Sequence, residues 1–63
     1  MALTFTLTGL QNNDDVNRLT TALMELEGVE TVQVAREWLE VEGRASERSV
    51  MAVIEQQGFG VRR

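Results

Sequence analysis

Apolar residues alternate with threonines near the start of the chain, where residues 3–8 read Leu-Thr-Phe-Thr-Leu-Thr. A period of two, rich in β-branched residues, predicts a strand with one buried face. After a polar loop, apolar residues recur at the three- and four-residue spacing of a helix. They are Val16, Leu19, Leu23 and Leu26. Gly28 follows where a left-handed C-terminal cap would end this helix.

The rest of the chain shows the same kinds of pattern. Two short alternating stretches, 31–35 and 38–42, predict strands joined by a tight turn at Arg36 and Glu37. Ser46 is placed to cap a second helix. The apolar residues of that helix are Val50, Val53 and Ile54, Gly58 would end it, and Phe59 and Val61 alternate in a short last strand.

The order strand, helix, strand therefore occurs twice. Residues 25–29 and 55–59 each end a helix near a glycine and enter a strand on an apolar residue, thirty positions apart. Two such units predict an α+β ferredoxin-like βαββαβ sandwich, with two helices on one face of a four-stranded antiparallel sheet. A chain of 63 residues makes one domain at most, so we expect a single domain over residues 1–63.

Three connections of this fold should meet at one end of the sheet. They are the loop after the first strand, the turn between the second and third strands, and the loop before the last strand. We therefore expect residues 12–15, 36–38 and 57–59 to be neighbours, and any functional site to lie among them.

Composition narrows the possible chemistry. The chain contains no Cys, His, Lys or Tyr. It therefore has no thiolate nucleophile, no Schiff-base lysine and no side chain with an ordinary pKa near neutrality. No serine has a recognisable base beside it, and a domain this small rarely encloses a deep cleft. We expect a protein that is not an enzyme and has no catalytic residues.

Charge and hydropathy bear on location and partners. The net charge is −4, which opposes binding to phosphate backbones and to anionic membrane surfaces. No apolar run approaches a membrane span, and the first residues do not resemble a signal peptide. We therefore expect a cytoplasmic protein with neither nucleic-acid nor membrane partners.

Three stretches, 5–10, 23–34 and 50–59, carry a family resemblance. The middle stretch is the most specific, because it runs from a helix through Gly28 and Val29 into an alternating strand. In order and lengths, nearly the whole chain resembles the heavy-metal-associated domain of copper chaperones, mercury-binding proteins and metal-pumping ATPases. The resemblance implies a ferredoxin-like fold with a metal loop between the first strand and the first helix.

The metal loop of that family reads Gly-Met-Thr-Cys-x-x-Cys. By this resemblance, Gly9, Leu10 and Gln11 stand for its first three residues, and Asn12 and Asp15 occupy the two cysteine positions. Leu10 keeps an apolar plug beneath the loop. Soft ions such as Cu(I) are held by thiolates, for which amide and carboxylate oxygens are poor substitutes. We therefore expect no cofactor, and no Cu(I), Hg(II) or Zn(II) binding in the family's manner.

Two interpretations of the loop remain open. The oxygen atoms of Asn12, Asn13, Asp14 and Asp15 suit a hard ion such as Ca²⁺ or Mg²⁺, but consecutive residues point in different directions. The simpler interpretation is that Asn13 or Asp14 caps the first helix, with the carboxylates at the positive end of its dipole. We favour the cap.

The aromatic and sulfur-containing residues also allow two interpretations. In the strand phase set by Leu39 and Val41, Trp38 faces the open side of the sheet, either lying across neighbouring side chains or anchoring a partner. Arg36 and Phe59 are further interaction candidates at the same end. Met24 and Met51 fall within the predicted helices, where packing explains them better than copper ligation.

The sequence thus favours a non-enzymatic interaction or adaptor module, and the family resemblance points to a role in metal transport or homeostasis. It would use the sheet face, the loop end, or the edge strand bounded by Thr31 and Ala35, which could also pair with a second copy. The alternative is metallochaperone-type transport or weak oxygen-donor binding of a metal ion at the loop from Asn12 to Asp15. An amino-acid-sensing module of similar fold is a third possibility without a specific residue in its favour.

Overall fold

The computed structural model describes residues 2–62, and the elements in that range follow the predicted order. The strands are β1 (Ala2–Thr8), β2 (Val29–Ala35), β3 (Trp38–Gly43) and β4 (Gly60–Arg62), and the helices are α1 (Asn13–Met24) and α2 (Glu47–Gln56). The predicted ferredoxin-like fold is confirmed.

The strands form one antiparallel sheet in the order β2-β3-β1-β4, so β2 and β4 are its edges. In this register Leu39 lies between Phe5 on one side and Val34 on the other. Because residues opposite one another share a face, the apolar side chains of neighbouring strands are aligned on the side that the helices cover. The polar side chains share the open face.

The core lies between this face and the two helices. Its buried members are Phe5, Leu7, Leu10, Leu19, Leu23, Leu39, Val41, Val50, Ile54 and Phe59. Within residues 2–62, no polar or charged side chain is buried. Apolar packing therefore supplies the stabilisation of the interior, as a chain without cysteine requires.

Several predicted element ends were wrong. Strand β2 begins at Val29 rather than Thr31, and its pairing with β3 shifts between these two residues, which leaves Glu30 as an extra, bulged residue. Helix α1 ends at Met24, before Leu26 and Gly28. The reason is local: the N–H of Leu26 bonds to the carbonyl of Leu23, so a tighter turn replaces the helix.

Met24 does not pack in the core, contrary to the prediction, and is 52% exposed. It follows Leu23 by one helical position, which turns its side chain about 100° away from the buried stripe. Met51 does pack against the core and is half-buried. Among residues 2–62, no helix has the length and apolar character needed to cross a membrane.

Candidate functional site

The loop between β1 and α1 is held by a cap that differs from the predicted one. Asn12, not Asn13 or Asp14, precedes the helix with an extended backbone, and its Oδ1 accepts from the N–H of Asp15 at 2.9 Å. A cap needs this extended conformation, whereas Asn13 is already helical. The Asn-x-x-Asp spacing is close to that of a capping box and could have identified the cap from the sequence.

The side chain of Asp15 makes a second hydrogen bond within the same loop. Its Oδ2 accepts from the N–H of Gln11 at 2.9 Å, so Asn12 and Asp15 together satisfy two amide groups at the start of α1. The side chain of Asp15 is only 18% exposed. A carboxylate at this place also interacts favourably with the positive end of the helix dipole.

The other oxygen of Asp15 faces Arg18, whose Nη2 lies 3.5 Å from Oδ1. The same nitrogen donates to the carbonyl oxygen of Gln57 at 3.3 Å, and the guanidinium carbon lies 5.1 Å from the centre of the Phe59 ring. Arg18 therefore connects the loop to the α2–β4 connection. Sequence reasoning missed it, although the spacing of Asp15 and Arg18 on a helix is a signal for an ion pair.

Phe59 reaches this position through the way α2 ends. Its N–H donates to the carbonyl of Ile54, and the N–H of Gly58 donates to the carbonyl of Glu55, which together make a Schellman motif. Gly58 has a φ of 90°, the left-handed conformation that the motif requires. Phe59 itself is buried and precedes β4 instead of starting it. The side chain of Phe59 is therefore covered by its own chain and offers little surface to a partner.

Trp38 and Arg36 lie on the other side of the loop end. Together with Leu10, Ala35 and Glu37 they line a shallow groove. Trp38 is 39% exposed and lies opposite Thr6 on β1. The side chain of Trp38 is on the open face of the sheet, as predicted. The carbonyl of Glu37 accepts from the N–H of Leu7 at 2.8 Å, which fixes the turn beside β1.

The structure thus brings the three predicted connections together. Leu10 contacts the groove beside Arg36 and Trp38, while Arg18 joins Asp15 to Gln57 and Phe59. Asn13 and Asp14 are exposed in the first turn of α1. This end of the molecule therefore carries a loop with internal hydrogen bonds, the Arg18 side chain held by its contacts, and the exposed side chain of Trp38.

This end offers few ligands for a metal ion. Both oxygens of Asp15 have internal partners, and the Arg18 guanidinium supplies a positive charge next to them. Within residues 2–62, no three carboxylates converge on a point where an ion could bind. The available donors are oxygens, so they fit a soft ion poorly.

Solved structures of similar proteins show the class of protein that shares this fold. No family model and no curated protein matches the chain. Among solved structures, the CopZ metallochaperone superposes with a TM-score of 0.92 at 18% identity, covering 98% of this chain and 100% of that one. The N-terminal domain of a potential copper-translocating P-type ATPase from Bacillus subtilis, solved with Cu(I), gives 0.86 at 23% identity, with 97% and 82% covered. These likenesses define the fold as that of metallochaperones and of P-type ATPase metal domains.

A more similar sequence identifies the family. A proposed copper-ion-binding protein from Bacillus anthracis str. Ames is 31% identical, with a TM-score of 0.91 over 98% of this chain and 94% of that one. The chain belongs to the heavy-metal-associated domain family. It does so without any cysteine.

Proposed function

We propose that this domain serves in metal transport or homeostasis as a protein-docking module that carries no soft metal ion itself. The observation that supports this most directly is the pair of hydrogen bonds between Asn12, Asp15 and the backbone of the loop. At the two positions that correspond to the family's cysteines, the side chains form hydrogen bonds with the backbone of the same loop. The protein would act in the cytoplasm and without catalysis.

The docking surface we propose is the loop end together with the adjoining open face. Trp38 is the exposed aromatic residue there, and aromatic residues contribute strongly at the centres of interfaces. Arg36 lies beside it in the groove and can pair with an acidic partner. The same fold occurs in metallochaperones and in a domain of a copper-translocating ATPase, so another domain of this fold is the partner we propose.

Metal titration is the first experiment. Calorimetry with anaerobic Cu(I), Zn²⁺, Ca²⁺, Mg²⁺ and Mn²⁺ should show no binding in the micromolar range. The alternative function, oxygen-donor binding or transport of a metal ion at the loop, predicts the opposite. Micromolar binding that Asp15→Ala abolishes, and that Glu47→Ala at the opposite end of α2 leaves intact, would replace our proposal with that alternative.

Docking is the second experiment. The ¹⁵N-labelled protein is titrated with the Bacillus subtilis ATPase domain, with and without Cu(I), and amide shifts are followed by NMR. We expect shifts at the loop end, centred on Trp38 and Arg36, and their loss in Trp38→Thr. The matched control is Met24→Thr, which removes another exposed apolar side chain elsewhere. Shifts that survive Trp38→Thr unchanged would place the docking surface somewhere else.

A further inference from the structure

Strand β2 is an edge of the sheet whose regular part has no charged residue. From residue 31 to residue 35 it reads Thr-Val-Gln-Val-Ala, with β-branched residues on three of five positions. Natural edges are protected by charges, prolines or bulges, because their free N–H and C=O groups can pair with another strand. Here the bulge at Glu30 protects only the beginning of the strand. The five residues after it remain available for pairing.

The charges that flank this segment are opposite in sign, Glu30 before it and Arg36 after it. In an antiparallel pair of two β2 strands centred on Gln33, residues equally far from Gln33 lie opposite one another. Val32 then faces Val34. Because Glu30 is the bulged residue and Arg36 lies in the turn after β2, both lie just outside the paired segment, and at each of its ends Glu30 of one copy comes near Arg36 of the other. Opposite charges in such positions stabilise a strand pair, and two ion pairs would form for each dimer.

Other registers do not give this match. If the helices of both copies lie on the same side, paired residues must share a face, so the two-fold axis passes through a residue. Centring on Val32 places Glu30 against Val34, and centring on Val34 places Arg36 against Val32. A parallel pair in register would place like charges together at both ends. The flanking charges therefore favour the register centred on Gln33.

Helix α1 supports the same contact. Helix α1 packs over β2 and α2 over β4, so the side of α1 that faces away from α2 lies above the β2 edge. Arg18 and Ala22 lie on the α2 side of this helix, beside Gln57. At 100° per residue, Met24 projects from the opposite side, and it is exposed. Half-buried Val32 and Val34 lie on the covered face of the sheet, over which α1 packs.

We infer that β2 pairs with β2 of a second copy of this chain, in the antiparallel register centred on Gln33, to form a continuous eight-stranded sheet. Five paired residues and a methionine make an interface smaller than the roughly 1,200 Å² of stable complexes, so association should be weak and reversible. The contact uses an edge of the sheet and not the closed loop around Asn12. It shares Arg36 with the docking surface proposed above but does not depend on that function, because the chain alone forms the dimer and Trp38 lies outside the paired segment.

Sedimentation equilibrium of the full chain tests the association. Between about 10 μM and 1 mM, the apparent mass should rise from the monomer mass of 7.1 kDa towards twice that value. Arg36→Glu should weaken the dimer about tenfold, because each dimer contains the altered pair twice. Glu30→Arg combined with Arg36→Glu should restore association to within about threefold, since the pair is only reversed.

The matched control is Arg48→Glu, which changes the net charge equally at an exposed position of α2, away from β2. Circular dichroism checks that every variant is folded. A monomer at all concentrations would overturn the inference and leave the edge for a strand of another protein. Equal weakening by Arg36→Glu and Arg48→Glu would also overturn it, because net charge alone would then explain the effect.

The absence of cysteine allows a direct test of register. In the proposed dimer Gln33 faces its own copy, so Gln33→Cys should cross-link under mild oxidation. Thr31→Cys should not, because Thr31 faces Ala35 and the two Thr31 positions lie about 14 Å apart along the strands. Cross-linking of both variants to the same extent, or of Thr31→Cys alone, would reject the register.

Discussion

The amide nitrogen of Asp15 lies 2.9 Å from Oδ1 of Asn12, so the two residues that the family resemblance assigns to the cysteine positions are joined by a hydrogen bond within the chain. Residues at this spacing flank the first turn of α1 and lie close enough to hold a metal ion when both are thiolates. Here the same proximity serves helix capping. This agrees with our proposal that the loop carries no soft metal ion.

Removal of the cap should destabilise the protein. Asn12→Ala leaves the N–H of Asp15 without its partner and should lower the free energy of unfolding by about 1 kcal/mol. Urea unfolding followed by circular dichroism measures it. The control is Asn13→Ala, one residue along in the exposed first turn, which should change stability by less than about 0.5 kcal/mol. Equal effects of the two substitutions would contradict the assignment of the cap.

Restoring the cysteines tests whether the scaffold is still competent. In the double variant Asn12→Cys, Asp15→Cys, we expect Cu(I) binding with an affinity at least about a thousandfold above that of the natural chain. The thiolates then lie on the same loop, above the same apolar Leu10. Competition with a chromophoric Cu(I) chelator under anaerobic conditions gives the affinity. Asn13→Cys, Asp14→Cys is the matched control, and equally tight binding by that pair would show that position does not matter.

Arg18 should connect the loop to the α2–β4 connection energetically. Arg18→Ala removes the contacts with Asp15, Gln57 and Phe59, and should cost about 0.5–1.5 kcal/mol, since the side chain is 56% exposed and its charge is partly screened. Arg48→Ala, which removes an exposed arginine from the other helix, should cost less than about 0.5 kcal/mol. Thermal unfolding of both variants measures the difference. Indistinguishable melting curves for the two would show that Arg18 is an ordinary surface residue.

Adjacent positions in α1 should respond very differently to truncation. Leu23 is fully buried, and Leu23→Ala should cost about 2–5 kcal/mol, a large part of the roughly 3–9 kcal/mol available to a chain of this length. Met24→Ala should cost less than about 1 kcal/mol, because that side chain is largely exposed. Chemical denaturation distinguishes the two. A larger loss from Met24→Ala would contradict the helix orientation described here.

Two glycines with positive φ should differ in their tolerance of a side chain. At Gly43, with φ at 137°, a Cβ would meet the carbonyl oxygen of Gly28 and lie 2.8 Å from the nitrogen of Glu30. Gly43→Ala should therefore cost more than about 3 kcal/mol. At Gly58, with φ at 90°, nothing lies within 4 Å, so Gly58→Ala should cost only the conformational strain of about 1–2 kcal/mol. The reverse order in denaturation midpoints would contradict the contact between β2 and β3 at this point.

Much of the fold could be predicted because its elements have clear periods. The alternation in β1 and the spacing of Leu19 and Leu23 specify which side chains face inward, and burial agrees with them. Element ends were less predictable, because they depend on hydrogen bonds such as that from Leu26 to Leu23. Phe59 is an example at the site, since its alternation with Val61 suggested a strand and the Schellman motif placed it before one.

The sequence by itself determined the order of the elements, the identity of most core residues, and the absence of thiolates at the loop, because these follow from local period and residue type. Only the tertiary structure decided that Arg18 meets Gln57 and Phe59, residues that are far apart along the chain. It also decided that Asn12, rather than Asn13 or Asp14, closes the loop. Such contacts depend on the direction of side chains in space, and residue type and period do not specify that direction.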